Sequence, residues 1–134
     1  MSWAALITWV LTAGGGFVML AIWLKNGGMQ QTESGRIRPA FILTHFLLAA
    51  TGLVLWIVYV VNDSSTLAWI AFALLLVVAL IGFAMFGMWM SQRQRRLEGA
   101  AEQRFPVAIV GGHGLLAATT LVLVLLAAAG VGGS

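Results

Sequence analysis

The sequence predicts an all-α membrane protein, a four-transmembrane-helix bundle made of two tandem parallel-repeat helical hairpins. Three observations predict it. The 134-residue chain is 61% hydrophobic and only 8% charged, outside the range of soluble globular domains. Its apolar residues gather into four runs, 3–24, 40–61, 67–90 and 106–131, and no charged side chain interrupts any of them. The landmarks of the first half also return, in order, in the second.

Each run reaches the ~20 residues that an α-helix needs to cross a ~30 Å hydrocarbon layer. None shows the period-two alternation of a transmembrane strand. The first run lacks the basic n-region of a secretory signal and is too long for its apolar core, so it reads as a retained helix. Residues 25–39 are polar and glycine-rich, a flexible connector, and Pro39 suits the first turn of the second helix, where a missing N–H costs nothing. Residues 62–66 allow only a tight turn. The third run continues into 91–105, rich in Gln, Arg, Glu and Ala, which extends the helix beyond the membrane before Pro106 opens the fourth. The glycine-rich tail after Ala129 frays. The whole chain, 1–134, is thus one bundle, with repeat one at about 1–62 and repeat two at about 67–131.

Charge sets the expected topology. Lys25, Arg36 and Arg38 fall in one connector, and Arg93, Arg95, Arg96 and Arg104 in the other. The middle turn carries only Asp63. The positive-inside rule places loops 25–39 and 91–105 in the cytoplasm and both termini outside, as expected for a bacterial inner (plasma) membrane protein. Trp3 and Trp69 would then mark the outer interface, and Trp23 and Trp89 the inner one. Seven basic residues split between two loops make a poor footprint for nucleic acid, which is excluded as a partner; the bilayer is the first partner. The absence of cysteine excludes disulfides, thiolate metal sites and iron–sulfur clusters.

The repeat carries the chemistry. His45 opens His-Phe-Leu-Leu-Ala-Ala-Thr-Gly-Leu-Val-Leu and His113 opens His-Gly-Leu-Leu-Ala-Ala-Thr-Thr-Leu-Val-Leu, identical at nine of eleven positions. These are the only two histidines in the chain. Trp3 aligns with Trp69, Gly16 with Gly82 and Trp23 with Trp89, each at an offset of 66. An imidazole inside an apolar span is costly unless it has a partner. His45 lies six residues past Pro39 and His113 seven past Pro106, so both sit roughly 9–10 Å in from the basic side at 1.5 Å per residue. Two parallel helices offering imidazoles at one depth suit a planar tetrapyrrole held edge-on, one axial ligand on each face.

Such a ring needs space and counter-charge. Gly16 and Gly82 lie near the same depth, Gly52 shares the face of His45, and Gly112 strips bulk from beside His113. Arg38, two turns below His45 on the same face, is the candidate cation for the ring's acidic groups. Copper is the minor alternative: Met19 and Met85, paired by the repeat, could join the histidines in a His2Met2 site for Cu(I). Acid–base and nucleophilic catalysis find no support, because Glu33, Asp63, Glu98 and Glu102 all lie in loops away from both histidines.

On His45 and His113 the chain resembles the small four-helix membrane b-type cytochromes, in which two histidines on different helices hold haem. The resemblance covers the bundle as a whole and rests on those two residues. It implies one six-coordinate haem b with His45 and His113 as its metal ligands, and electron transfer in place of O2 binding. A quinone or a redox protein is the partner so implied, and an electron carrier is expected in place of a self-sufficient enzyme. Larger diheme members of that class carry four histidines, two on each side of the membrane, whereas this chain has one pair at one depth. A homodimer, or a place as subunit of a larger complex, would supply what a lone haem lacks. The competing expectation is a non-catalytic accessory or assembly subunit, in which each imidazole serves only as an interhelical hydrogen-bond donor.

Overall fold

The computed structural model describes residues 1–132. Four long helices account for most of them: α1 (Ser2–Lys25), α2 (Pro39–Asn62), α3 (Ser65–Gln94) and α4 (Val107–Ala128). One-turn 3₁₀ segments at Gly28–Gln30 and Ala101–Arg104 interrupt the two basic connectors. Each long helix is long and apolar enough to cross a membrane. Their outward side chains agree, since Ile7, Leu47, Leu80 and Leu115 are all more than half exposed. A surface of that kind is stable only against lipid, and the chain is an integral membrane protein.

Local chemistry sets the helix ends. Pro39 occupies the first turn of α2 with Arg38 extended as its N-cap. Asp63 ends α2 in the left-handed conformation, φ 57°, and its N–H returns to the Tyr59 carbonyl at 2.7 Å. Ser64 then caps α3, accepting from the Leu67 N–H. This two-residue turn makes α2 and α3 antiparallel neighbours.

The two extensive seams are α1 with α4 and α2 with α3; α3 meets α4 less, and α1 touches α2 only slightly. The circuit of neighbours therefore leaves α2 and α4 facing each other across the bundle axis. Each main seam joins one helix from each half of the sequence, so neither expected hairpin packs chiefly on itself.

At the end remote from the basic loops the interior is filled. Trp9, Trp56, Tyr59, Leu75 and Val124 form one buried cluster, closed by Ala5, Ala68, Ala71 and Ala127. The alanines let the helices approach, as small residues do where no water drives association. Trp56 stacks on Tyr59 with ring centroids 4.6 Å apart and donates its indole N–H to the Ser2 carbonyl at 3.2 Å.

The basic end differs from expectation. Residues 25–38 are not a loose connector: Gln31 and Ile37 are buried, and the segment folds onto the second connector around Glu102, which is 0% exposed. One Glu102 oxygen accepts from the Ile37 N–H and from Gln92 Nε2, both at 2.7 Å, and the other from Gln31 Nε2 at 2.8 Å. Gln31 Oε1 in turn accepts from the Ala101 N–H at 2.7 Å. A carboxylate out of water needs such donors, and three amide groups supply them without a cation. The inner tryptophans lie under this lid in place of at an interface. Trp89 donates to the Glu102 carbonyl at 3.0 Å, and the Trp23 ring is covered so closely by Gly28 that any Cβ there would collide with it. Trp3, at the other end, is 65% exposed, as an interfacial anchor should be.

Candidate functional site

The two prolines sit one residue out of register in the repeat, and helix geometry absorbs the difference. Pro39 is the first residue of α2, whereas Pro106 is the N-cap of α4, which begins at Val107. His45 and His113 are consequently both six residues into their helices, at one depth. Across the bundle axis their ring centroids are 6.4 Å apart, with the planes inclined at 64°.

Each imidazole leans on the helix that shares its seam. His113 Nδ1 lies 2.8 Å from the Thr12 carbonyl on α1, and His45 Nδ1 lies 3.1 Å from the Val78 carbonyl on α3. A carbonyl can only accept, so in both rings Nδ1 carries the proton and donates. Both Nε2 atoms are left as lone-pair donors, the form in which histidine binds metals. A backbone carbonyl that fixes tautomer and orientation in this way is a recurrent partner of metal-ligating histidine.

Glycine makes these bonds possible. In a helix the carbonyl of residue i points at residue i+4, which is Gly16 for Thr12 and Gly82 for Val78. A Cβ at Gly16 would stand 3.1 Å from His113 Cε1, and one at Gly82 would stand 3.2 Å from His45 Cε1. The missing side chain lets a ring edge lie on the helix and reach the carbonyl one turn back. The partners also keep the repeat offset, since Thr12 and Val78 are 66 apart, as are Gly16 and Gly82.

Of the residues expected at the site, the structure brings together His45, His113, Gly16 and Gly82. The two glycines clear room for the imidazoles themselves. Gly52 lies in the tryptophan layer, where a Cβ would meet Trp9 at 3.1 Å and Leu74 Cβ at 3.6 Å. Gly112 has open space around it, and Arg38 is exposed at the start of α2. The carbonyls of Thr12 and Val78 were not foreseeable from residue types, because every residue carries one. Gly15 adds to the seat of His113, whose Cβ lies 3.5 Å from the position of a Gly15 Cβ.

Among the described residues, no three His, Cys, Asp or Glu side chains converge on one point. From those residue types, a metal between the imidazoles would thus find two protein ligands. No family model, curated protein or solved structure matches the chain.

Proposed function

We propose that the protein is a membrane b-type cytochrome-like electron carrier that binds one haem b between α2 and α4 through His45 and His113. The observation that carries this reading is the pair of imidazoles, facing each other at 6.4 Å with both Nδ1 atoms tied to carbonyls. His45 and His113 would hold the metal through their unprotonated Nε2 atoms, and the closeness of the two rings would let one ion take both. The donor set also fits. Two neutral imidazoles are too few for a tetrahedral ion but complete a metal whose four equatorial positions a tetrapyrrole fills.

In this reading the chain's own groups set orientation and polarity. The Thr12 and Val78 carbonyls hold the ring planes and raise imidazole basicity. The apolar helices exclude water, and the Trp9–Trp56 cluster closes the bundle above the site. A bis-imidazole haem supplies reversible one-electron chemistry. Seven basic residues gathered at one end favour a cytoplasmic side for that end in a bacterial inner membrane, and this reading takes a quinone in the lipid phase as the redox partner.

The test is spectroscopic. Protein purified after expression with ample haem supply should show a Soret band and, when reduced, the narrow α-band of a low-spin b-type haem. Colourless protein under those conditions would sink the reading, and its co-purification with a larger membrane complex would favour an accessory subunit.

A further inference from the structure

We propose that Arg93, Arg96 and Arg104 form a phosphate-binding site at the basic end of the bundle, for the phosphate of an anionic phospholipid headgroup or for phosphate free in solution. Two adjoining clefts of about 210 and 330 Å³ lie there. Arg93 and Gln103 line both, Arg96 lines one and Arg104 the other. None of the three arginines is in an ion pair; the one ion pair among the described residues joins Arg36 to Glu33 at 2.9 Å. Glu98 also lines both clefts yet pairs with none of them. Three forked, permanently charged donors along two adjoining clefts, with Arg93 common to both, match the oxygens of a phosphate.

The floor of the cleft is built. Arg93 lies over the Trp89 ring, 5.0 Å from its centroid. Gln103 Nε2 donates to the Trp89 carbonyl at 3.1 Å and to Gln92 Oε1 at 2.9 Å, which ties the floor to buried Glu102 through Gln92. The cleft is thus shaped by the same polar lid that closes the bundle.

The backbone at Arg96 is the most telling detail. α3 stops in a glycine-type motif: the Leu97 N–H returns to the Gln92 carbonyl at 2.9 Å, and Arg96 takes the left-handed position at φ 57°. Glycine fills that position without steric cost, whereas any side chain there is strained. Arginine at that place holds its charge at the cleft at the expense of the helix stop. The apolar run of α3 ends at Met90, three residues before Arg93, a position suited to headgroup level.

The experiment titrates the purified full-length protein against phosphatidylglycerol and phosphatidylcholine in nanodiscs, by native mass spectrometry, and against inorganic phosphate by calorimetry. A basic residue beside an anionic surface contributes about 1 kcal/mol, which is about fivefold in affinity. Arg93→Gln, Arg104→Gln and Arg96→Gly should each lower phosphatidylglycerol retention about fivefold, and Arg96→Gly should do so while holding or raising Tm. Glu98→Gln should raise retention. Arg95→Gln removes the same charge from the same loop but from outside both clefts, and should change retention little. Saturable binding of inorganic phosphate that is lost in the same variants assigns the site to free phosphate; its absence with retained lipid selectivity assigns it to the headgroup. Equal loss in Arg95→Gln, or no selectivity for phosphatidylglycerol or phosphate in the unaltered protein, overturns the site.

Discussion

The two histidine seats are built to one plan with different materials, and the difference separates what an imidazole needs from what a seam tolerates. On both seams the ring donates to a carbonyl and rests on a glycine one turn further along the same helix. The surroundings diverge. His113 lies against two consecutive glycines, Gly15 and Gly16, and its bond to Thr12 is 2.8 Å. At the corresponding place α3 carries Ile81 followed by Gly82, and the His45 bond to Val78 is 3.1 Å. On the α1/α4 seam the Thr12 and Thr120 hydroxyls lie 3.3 Å apart, where the α2/α3 seam has Val78 and Gly52. The conserved parts of the plan are the carbonyl and the glycine four residues on; the rest is packing.

If both seats serve one metal, His45→Ala and His113→Ala must each remove the six-coordinate low-spin spectrum, a complete loss in either variant despite the tighter seat of His113. Absorption and electron paramagnetic resonance spectra of the purified variants check this. An unchanged spectrum in one variant would mean that its seat is only a helix–helix hydrogen bond, worth about 0.6–2 kcal/mol.

The lid should act on both seats alike, because it touches neither. Glu102→Ala leaves the Ile37 N–H without a partner and takes one acceptor each from the Gln31 and Gln92 amides, which keep the Ile37 and Gly35 carbonyls. A buried group left without its partner costs about 1–3 kcal/mol. With the hub of both connectors removed, the change is expected to lower Tm in detergent by several degrees and open the connectors to protease. Trypsin cleavage after Arg36 is the direct readout, since Pro39 protects the bond after Arg38. Spectra of whatever folded protein remains should be normal.

The fold and the site were legible to different depths. Four uninterrupted apolar runs announce four helices, since no other backbone arrangement of that composition satisfies its own polar groups in lipid. The matched histidines were equally plain. What the sequence does not carry is which helix packs on which. Gly16 and Gly82 were expected to clear room for a ring, yet each receives the histidine of the opposite half, His113 and His45. The lid was invisible for a similar reason. Its members, Gln31, Gln92 and Glu102, are polar residues of the connectors and of the end of α3, scattered over 71 positions, and such residues are solvated unless chain topology gathers them. The concentration of glutamines in both connectors was the one available hint.

The glycines sharpen the comparison at a smaller scale. Gly16→Leu and Gly82→Leu should expel their imidazoles and empty one axial position each, giving a high-spin or haem-free protein. Alanine is the finer probe. At Gly16 and Gly82 its Cβ would come 3.1 and 3.2 Å from a ring carbon, so the ring must yield by a few tenths of an ångström. At Gly15 the nearest atom is 3.5 Å away, an ordinary contact. Gly16→Ala and Gly82→Ala should therefore shift the reduction potential and weaken haem retention by a similar amount. Gly15→Ala should leave both unchanged and gain up to about 1 kcal/mol of helix propensity. Equal effects at Gly15 and Gly16 would show that the pair sets helix spacing and not the ring.

Thr12→Val makes the smallest change and isolates the remaining difference between the seams, since valine is what the α2/α3 seam carries at this place. The imidazole of His113 uses the carbonyl of residue 12, not its hydroxyl, and valine supplies the same carbonyl. The hydroxyl already donates within its own helix to the Thr8 carbonyl at 2.7 Å, so its link to Thr120 is a second, longer contact. Interhelical hydrogen bonds inside membranes average only about 0.6 kcal/mol. Thr12→Val is thus expected to lower Tm by no more than a few degrees and to leave the haem spectrum and reduction potential in place. A shift in potential as large as that from Gly16→Ala would mean that the hydroxyl tunes the Thr12 carbonyl. The two seats would then differ in how strongly they polarise their imidazoles, and not only in how they pack.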